Sequence, residues 1–240
     1  MNDKGKPDGR IERISPPDDS GELGCYSLLE EASLVAQRVL ESIQALAGTT
    51  AVKGVQIANL ERFAKEKGCW IEDISKIGTF TDRGSENEVY LSLVDDTAVY
   101  KLNDFRYSDD NLASFFERIE AHNFYFPDCF YELMGFARNK SGKTCAVLKQ
   151  TFINAMREAT QDEIETTLSL LGFKPELNGE YFSNGKHDIF DAVPNNVLIG
   201  ENGRTFFIDT IIYKSQSNGL ESYRSLSPRY NNSENRASNS

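Results

Sequence analysis

The chain has 240 residues and a mass of 27.0 kDa, a size that fits one moderate domain with an appendage. Its net charge of −11 disfavours nucleic acid as the main partner, because contacts with phosphates require clustered Lys and Arg side chains. No apolar run approaches the roughly 18 residues of a membrane span, and the polar first residues lack the apolar segment of a secretory signal.

The chain ends and the first periodic segments predict the outer parts of the molecule. Residues 1–24 and 217–240 are rich in small and polar residues and are predicted to be disordered tails. Apolar residues recur at helical spacing over 27–47 and again over about 55–67. We expect these two helices to form a helical cap, residues 25–70, that packs on the domain after it. A surface for a protein partner is the alternative interpretation.

The next segment alternates apolar and polar residues in the manner of β-strands. Residues 72–102 contain three such runs, with a hairpin turn at Asp95. A helix is predicted over 111–122, and a strand pair follows around a turn at Gly142. These elements predict a five-stranded sheet with one helix.

The remaining segment predicts a second, smaller unit. Thr160 and Glu163 have the spacing of a capping box at the start of a helix. The Asn-Gly pairs at 184–185 and 202–203 are strong hairpin signals. Sheet, helix and hairpins together predict an α+β domain of two lobes over 71–216.

The cysteines indicate a reducing environment. None of the four belongs to a C-x-x-C pair, and the chain has only two histidines, a composition that disfavours a zinc site. Free thiols are then expected, which is typical of a cytoplasmic protein.

One lysine lies within an apolar strand. Lys101 follows Val99 by two residues, and the strand period of two places both side chains on the same face. A buried lysine is unusual unless it has a partner, so this position suggests a functional charge. The alternative is a surface lysine with a buried aliphatic part. Upstream, Gly84 either lets the backbone approach a phosphate or is an ordinary turn residue.

Two acids and an amide near the end of the domain form a candidate metal-and-base loop. Asp191 and Asn196 precede an apolar strand, and Asp209 ends the following strand. Asp191 can accept a proton from a hydroxyl nucleophile, whereas Asn196 and Asp209 offer hard oxygen ligands for Mg²⁺ with a nucleoside triphosphate. Short Asp/Asn spacings are common, so a polar loop with a hairpin is the alternative.

These features follow the order of the protein-kinase-like fold: glycine turn, strand lysine, helix, strand pair, Asp-x₄-Asn and a final Asp. The chain most resembles the kinase-like domain of polyvalent proteins, which phages and mobile genetic elements of bacteria carry. The resembling stretches span about 69–213 and are Trp70-Ile-Glu, Gly84-Ser-Glu-Asn-Glu-Val-Tyr, Val99-Tyr-Lys-Leu, His122-Asn-x₃-Pro127, Gln150-x-Phe-Ile, Leu171-Gly-Phe, Asp191-x-x-Pro-x-Asn-Val-Leu and Ile208-Asp.

The resemblance implies roles at the phosphates. Lys101 would hold the α- and β-phosphates of ATP, and Gly84 would approach them from the glycine turn. Asp191 would orient the acceptor hydroxyl or take its proton. Asn196 and Asp209 would bind Mg²⁺.

The resemblance also implies an adenine site and a partner for the lysine. Gln150 and Phe152 lie in the segment that resembles the hinge between lobes, where backbone N–H and C=O groups would pair with adenine. The helix after Lys101 would provide a carboxylate for it. Glu117 and Glu120 are both candidates; Glu120 lies nearer the apolar stripe at about 100° per residue and is our choice.

The chain departs from ordinary kinases after Asp209. Thr210 and Ile211 replace the Phe-Gly pair, and no Ala-Pro-Glu segment follows. We therefore expect a minimal two-lobe protein-kinase-like fold with an N-terminal helical pair. The function predicted is an ATP- and Mg²⁺-dependent phosphotransferase whose acceptor is a protein hydroxyl. The alternatives are a non-catalytic, pseudokinase-like module that binds a protein partner, and nucleotidyl transfer on the same core.

Overall fold

The structure is a computed structural model, and it describes residues 27–45, 52–84, 87–106, 108 and 111–226. Its helices are α1 (Leu28–Ala45), α2 (Val52–Lys67), α3 (Ala113–Tyr125), α4 (Gln161–Leu170) and α5 (Gly219–Leu226). Its strands are β1 (Trp70–Ile71), β2 (Gly78–Arg83), β3 (Asn87–Ser92), β4 (Ala98–Asn103), β5 (Glu132–Arg138), β6 (Thr144–Thr151), β7 (Ala155–Glu158), β8 (Lys174–Glu176), β9 (Tyr181–Ser183), β10 (His187–Phe190), β11 (Val197–Gly200), β12 (Thr205–Phe207) and β13 (Ile211–Lys214). None of the described helices is both long and apolar enough to cross a membrane.

Six strands form one sheet, in the order β1-β5-β6-β4-β3-β2. Neighbouring strands are antiparallel except β1, which runs parallel to β5. The sequence predicted five of these strands. The sixth, Trp70–Ile71, has two residues and is too short to show an alternating pattern. This sheet with α1, α2 and α3 is the upper lobe.

The two predicted N-terminal helices are present and belong to the core of the upper lobe. Ala32 and Ala36 of α1 are fully buried, as are Leu60 and Ala64 of α2. Their small side chains allow close helix packing, and they join one cluster with apolar residues of α3 and of the sheet. Gly68, with a left-handed φ of 77°, ends α2.

One buried amide joins three helices. The side chain of Gln56 on α2 donates to the carbonyl of Ala36 on α1 at 2.9 Å. Its oxygen accepts from the backbone N–H of Leu112, just before α3, at 2.7 Å. Because Gln56 is completely buried, these bonds replace the water that both backbone groups would otherwise need.

The lower lobe contains α4, two small sheets and α5. The sheets have the orders β13-β10-β9-β8 and β12-β11-β7. The capping box of Thr160 and Glu163 is formed, and the predicted hairpins turn at Gly185 and Gly203, both with left-handed φ. A second apolar cluster fills this lobe; it includes Ile164, Leu168, Phe173, Phe182, Ile189, Val197 and Phe207.

The end of the chain differs from the prediction. Residues 217–226, expected to begin a disordered tail, contain α5, while 1–24 and 227–240 lie outside the described residues. Tyr223 of α5 packs against Tyr181 and Phe190, with ring centroids 5.4 and 5.2 Å apart. This aromatic packing explains why a polar segment forms a helix here.

The end of α3 connects the two lobes. Phe126, which follows α3, stacks on Phe207 of β12 with ring centroids 4.2 Å apart. The carbonyl of Cys129 in the next turn accepts from Gln150 Nε2 of β6 at 2.8 Å and lies 3.0 Å from His122 Nε2. The cysteines within the described part, Cys69, Cys129 and Cys145, are free, as predicted.

Candidate active site

The sheet register explains why Lys101 points inward. Lys101 pairs with Val89 on β3 and with Leu148 on β6, so these side chains share one face of the sheet. Lys101 is 6% exposed, and its Nζ lies 2.6 Å from the carbonyl oxygen of Ile208. The predicted inward orientation is therefore confirmed.

Among the described residues, three oxygen atoms surround the Lys101 ammonium. Besides Ile208, these are the hydroxyl of Tyr131 at 3.3 Å and Asp209 Oδ1 at 3.5 Å. Burial acts to lower the pKa of Lys101, but Tyr131 and Asp209 outweigh it, and the pKa lies above its ordinary value. The lysine therefore remains charged beside Asp209.

Tyr131 fixes the lysine and was missed in the sequence. Its hydroxyl donates to the same Ile208 carbonyl at 2.8 Å, and its ring lies 4.6 Å from the ring of His122. Its backbone makes two hydrogen bonds with the side chain of Asn123 on α3. No recognisable motif surrounds this tyrosine, since its role depends on contacts between distant segments.

Asp209 is at the opening of the cleft. Its side chain is 45% exposed, and Oδ1 accepts from Asn87 Nδ2 at 3.3 Å as well as lying near Lys101. Asn103 Nδ2 in turn donates to Asn87 Oδ1 at 3.0 Å. The signal for both asparagines was available, because the strand period places polar residues 87 and 103 on the same face as Lys101.

Asp191 and Asn196 are joined within one tight loop. Asn196 Nδ2 donates to the carbonyl of Asp191 at 2.8 Å, and the Asn196 carbonyl accepts from Ile208 N at 2.9 Å. The second bond brings Asn196 beside the strand that leads to Asp209. Asp191 is exposed and has a left-handed φ of 61°, which Asp tolerates better than most residues.

The predicted carboxylate partner of Lys101 is wrong. Glu120 and its competitor Glu117 both lie on the exposed face of α3. The buried face carries Arg118 and His122 together with the apolar stripe, so the helix turns both glutamates away from the sheet. The carbonyl of Ile208, the hydroxyl of Tyr131 and Asp209 surround Lys101 instead.

The expected pairing of the segment around Gln150 and Phe152 with adenine needs correction. The Phe152 N–H donates to Thr97 O at 2.8 Å, so this group extends the sheet and is not available to adenine. The Gln150 side chain is 2% exposed and donates to the Cys129 carbonyl, so it is buried between the sheet and the turn that follows α3. The ring of Phe152 remains exposed.

The conformation of Gly84 does not itself require a glycine. Its φ lies outside the left-handed region, and an added Cβ would approach Asn87 O only to 3.7 Å, an ordinary contact. Its N–H donates to the same oxygen at 2.8 Å. Residues 85 and 86 lie outside the described residues.

Asn196 and Asp209 have the donor chemistry that Mg²⁺ requires. Both offer hard oxygen atoms, and Mg²⁺ on a nucleotide commonly takes one or two protein oxygens with phosphate and water as the other ligands. Within the described ranges there is no cluster of three or more His, Cys, Asp or Glu side chains that could hold a metal alone. The pair therefore fits a nucleotide-borne cation better than a resident one.

A small polar cavity lies behind Asp209, between α3 and the sheet. The cavity has a volume of about 20 Å³, and its lining includes Asn87, Arg118, His122 and Thr210. His122 Nδ1 and Thr210 Oγ1 are buried there without a hydrogen-bond partner among the described residues. Burial lowers the pKa of His122 to about 4, so the ring is neutral at pH 7.

Comparison with protein families identifies a kinase family. The model for the serine/threonine/tyrosine kinases found in polyvalent proteins matches residues 53–216, from within α2 to just beyond β13. No curated protein sequence matches the chain. The family match covers more than half of the chain, and the structure has two lobes of mixed α+β composition. The chain thus belongs to the kinase family of polyvalent proteins, and its architecture is a small kinase-like fold.

Proposed function

We propose that the protein is an ATP- and Mg²⁺-dependent phosphotransferase whose acceptor is a protein hydroxyl. Family membership supports a kinase-like function and nucleotide binding. The observation that carries the finer proposal is the meeting of Lys101 from the upper lobe with Asp209 from the lower lobe, 3.5 Å apart, with Asn196 just before β11 and bonded through its carbonyl to Ile208 N.

The upper-lobe face around Lys101 suits a nucleotide. Val89 and Val99 share this face and offer apolar surface for a base, with Lys101 further along the same strand as Val99. The Lys101 ammonium would contact the phosphates. Bound Mg²⁺ would neutralise charge on the transferred phosphoryl group. Asn196 and Asp209 would hold that cation through their side-chain oxygens.

Asp191 would serve the acceptor. Its side chain is exposed, and its backbone is held by Asn196, so a hydroxyl can approach it from solvent. A carboxylate at this place orients the hydroxyl and accepts its proton. Rate acceleration would come mainly from positioning and from the charges around the phosphates.

Thermal melting with and without ATP and Mg²⁺ tests nucleotide binding. A ligand at about 100 times its Kd stabilises the folded state by about 2.7 kcal/mol, which corresponds to roughly 5–10 °C for a chain of this length. We expect this shift in the wild type and in Asp162→Ala, an exposed acid on α4, and its loss in Asp209→Ala. No Mg²⁺-dependent shift in the wild type would refute the proposal.

Labelled ATP tests the transfer step. Label on the γ-phosphate should appear in protein and label on the α-phosphate should not, with the transfer greatly reduced in Asp191→Asn. Transfer of the α-label would instead indicate nucleotidyl transfer.

The second candidate is a non-catalytic module that binds a protein partner. One observation favours it: α3 provides no carboxylate for Lys101, whose ammonium lies against the Ile208 carbonyl. Nucleotide binding without transfer of either label would support this candidate over the enzyme.

A further inference from the structure

We propose that Asn87, held in place by Asn103, is a positioning residue for the carboxylate of Asp209. The inference rests on the proposed function, in which Asp209 binds the cation that accompanies ATP. Asn87 belongs to the upper lobe and Asp209 to the lower lobe, so the proposed contact crosses the cleft between them.

A continuous chain of hydrogen bonds leads to Asp209. The backbone N–H of Phe105 donates to Asn103 Oδ1 at 2.9 Å, and Asn103 Nδ2 donates to Asn87 Oδ1 at 3.0 Å. Asn87 Nδ2 then donates to Asp209 Oδ1 at 3.3 Å. Asn87 and Asn103 are 7% and 5% exposed, so water competes little for these bonds.

The two ends of this chain determine the orientation of both amides. A backbone N–H can only donate, so Asn103 must turn its oxygen toward Phe105 and its NH₂ toward Asn87. An ionised carboxylate can only accept, so Asn87 must turn its NH₂ toward Asp209. The register places Asn87 directly opposite Asn103, and neither amide can flip without placing two acceptors or two donors together.

The two carboxylate oxygens of Asp209 therefore differ in their hydrogen-bond partners. Asn87 and Lys101 both approach Oδ1, at 3.3 and 3.5 Å. Two donors on one oxygen restrict rotation of the carboxylate. Oδ2 is then the oxygen that remains for a cation, and it is presented in one orientation before the ligand arrives.

The position of Asn87 in the sequence makes this role unusual. In the kinase pattern G-x-G-x-x-G-x-V, the third glycine precedes the valine by two residues. When Val89 is matched to that valine, Asn87 occupies the third glycine position and Gly84 the second. The amide side chain of Asn87 thus occupies a position where the kinase pattern has a glycine, and it reaches into the cleft.

The experiment measures the Mg²⁺ concentration that gives half of the ATP-induced rise in melting temperature, using the full chain. Asn87→Leu keeps similar volume but loses the donor, and we expect its Mg²⁺ midpoint to rise about tenfold. Asn87→Ser, whose hydroxyl is too short to span to Asp209, should shift it in the same direction and serves if the leucine variant does not fold. Tyr90→Phe is the matched control, because it removes a buried hydrogen bond to Glu88 from the opposite face of the same strand.

The outcomes separate the inference from the proposed function. Tyr90→Phe should lower the melting temperature without ligand but keep the wild-type Mg²⁺ midpoint, as would any purely structural loss. A wild-type midpoint in the folded Asn87 variants would overturn this inference alone. Absence of any response to ATP and Mg²⁺ in the wild type would overturn the proposed function together with it.

Discussion

At the scale of single residues, the fold strongly opposes protonation of His122. Its Nε2 lies 3.0 Å from the Cys129 carbonyl, which can only accept, so the proton of the neutral ring is on Nε2. Burial lowers the pKa of His122 most, the carbonyl opposes this, and the charges of Lys101 and Arg118 lower it further while Asp209 raises it.

Acid should therefore destabilise the protein through His122. The pKa is about 4 in the folded state against 6.5 for an ordinary histidine, so the unfolded chain binds the proton more readily. The contribution to stability is complete above pH 6.5 and falls as the pH drops toward 4, by about 3 kcal/mol at most. Urea unfolding at pH 7.0, 5.5 and 4.5 should show this slope in the wild type and a flatter one in His122→Gln.

His187→Gln is the control for this prediction. His187 is partly exposed, and burial lowers its pKa less strongly than that of His122. Its replacement should leave most of the slope in place. Equal slopes in the wild type and in His122→Gln would contradict the assignment.

Single residues also show where sequence reasoning stops. The strand period located Lys101, and hard-ligand chemistry selected Asn196 and Asp209 as candidates. The partner of Lys101 was missed because it is largely the backbone carbonyl of Ile208, which has no signature in the side-chain sequence. A carboxylate was expected from α3, and the structure has Glu120 on the solvent side.

At the scale of elements, periodicity predicted long segments well and short ones poorly. The helices α1 to α4 and the Asn-Gly hairpins were all expected near their observed positions. The two-residue β1 and the polar α5 were not, because each depends on a partner elsewhere in the chain: β5 for the first and the Phe190 ring for the second. Elements that tertiary contacts stabilise leave little local pattern.

The three-helix junction at Gln56 gives a prediction at this scale. Gln56→Leu keeps the volume but leaves the Ala36 carbonyl and the Leu112 N–H buried without their partner. We expect a loss of about 3 kcal/mol in the free energy of unfolding, measured by chemical denaturation. Gln37→Leu, on the exposed side of α1, should change stability by less than about 0.5 kcal/mol. Similar effects for both variants would refute the role of Gln56.

At the scale of the whole molecule, we expect a substitution in α5 to destabilise the lower lobe more than the upper lobe. The ring of Tyr223 in α5 packs on Tyr181 and Phe190 of the lower lobe. Tyr223→Ala should increase hydrogen exchange of backbone amides in β9 and β10, with little change in β4 and β6. The control is Arg224→Ala, a substitution of the neighbouring residue. A uniform increase of hydrogen exchange in both lobes of Tyr223→Ala would contradict the prediction.

The order of the elements predicted two lobes but not how they meet. The lobes share contacts at Asp209 and Ile208 that come from β3, β4 and the segment before β5, which are far apart in the sequence. Such contacts depend on the packing of whole layers, so no single stretch of sequence encodes them.

The ring stack between Phe126 and Phe207 has a consequence for how a ligand enters. Two-lobed enzymes commonly open and close about a hinge. In this molecule a rigid rotation of the lobes would separate the two rings. It would also break the hydrogen bonds that join Lys101, Tyr131 and Asn87 to Ile208 and Asp209 of the lower lobe. We therefore expect a nucleotide to enter a cleft whose upper-lobe and lower-lobe sides are already in their bound positions. Little of the free energy of binding is then needed to close the lobes.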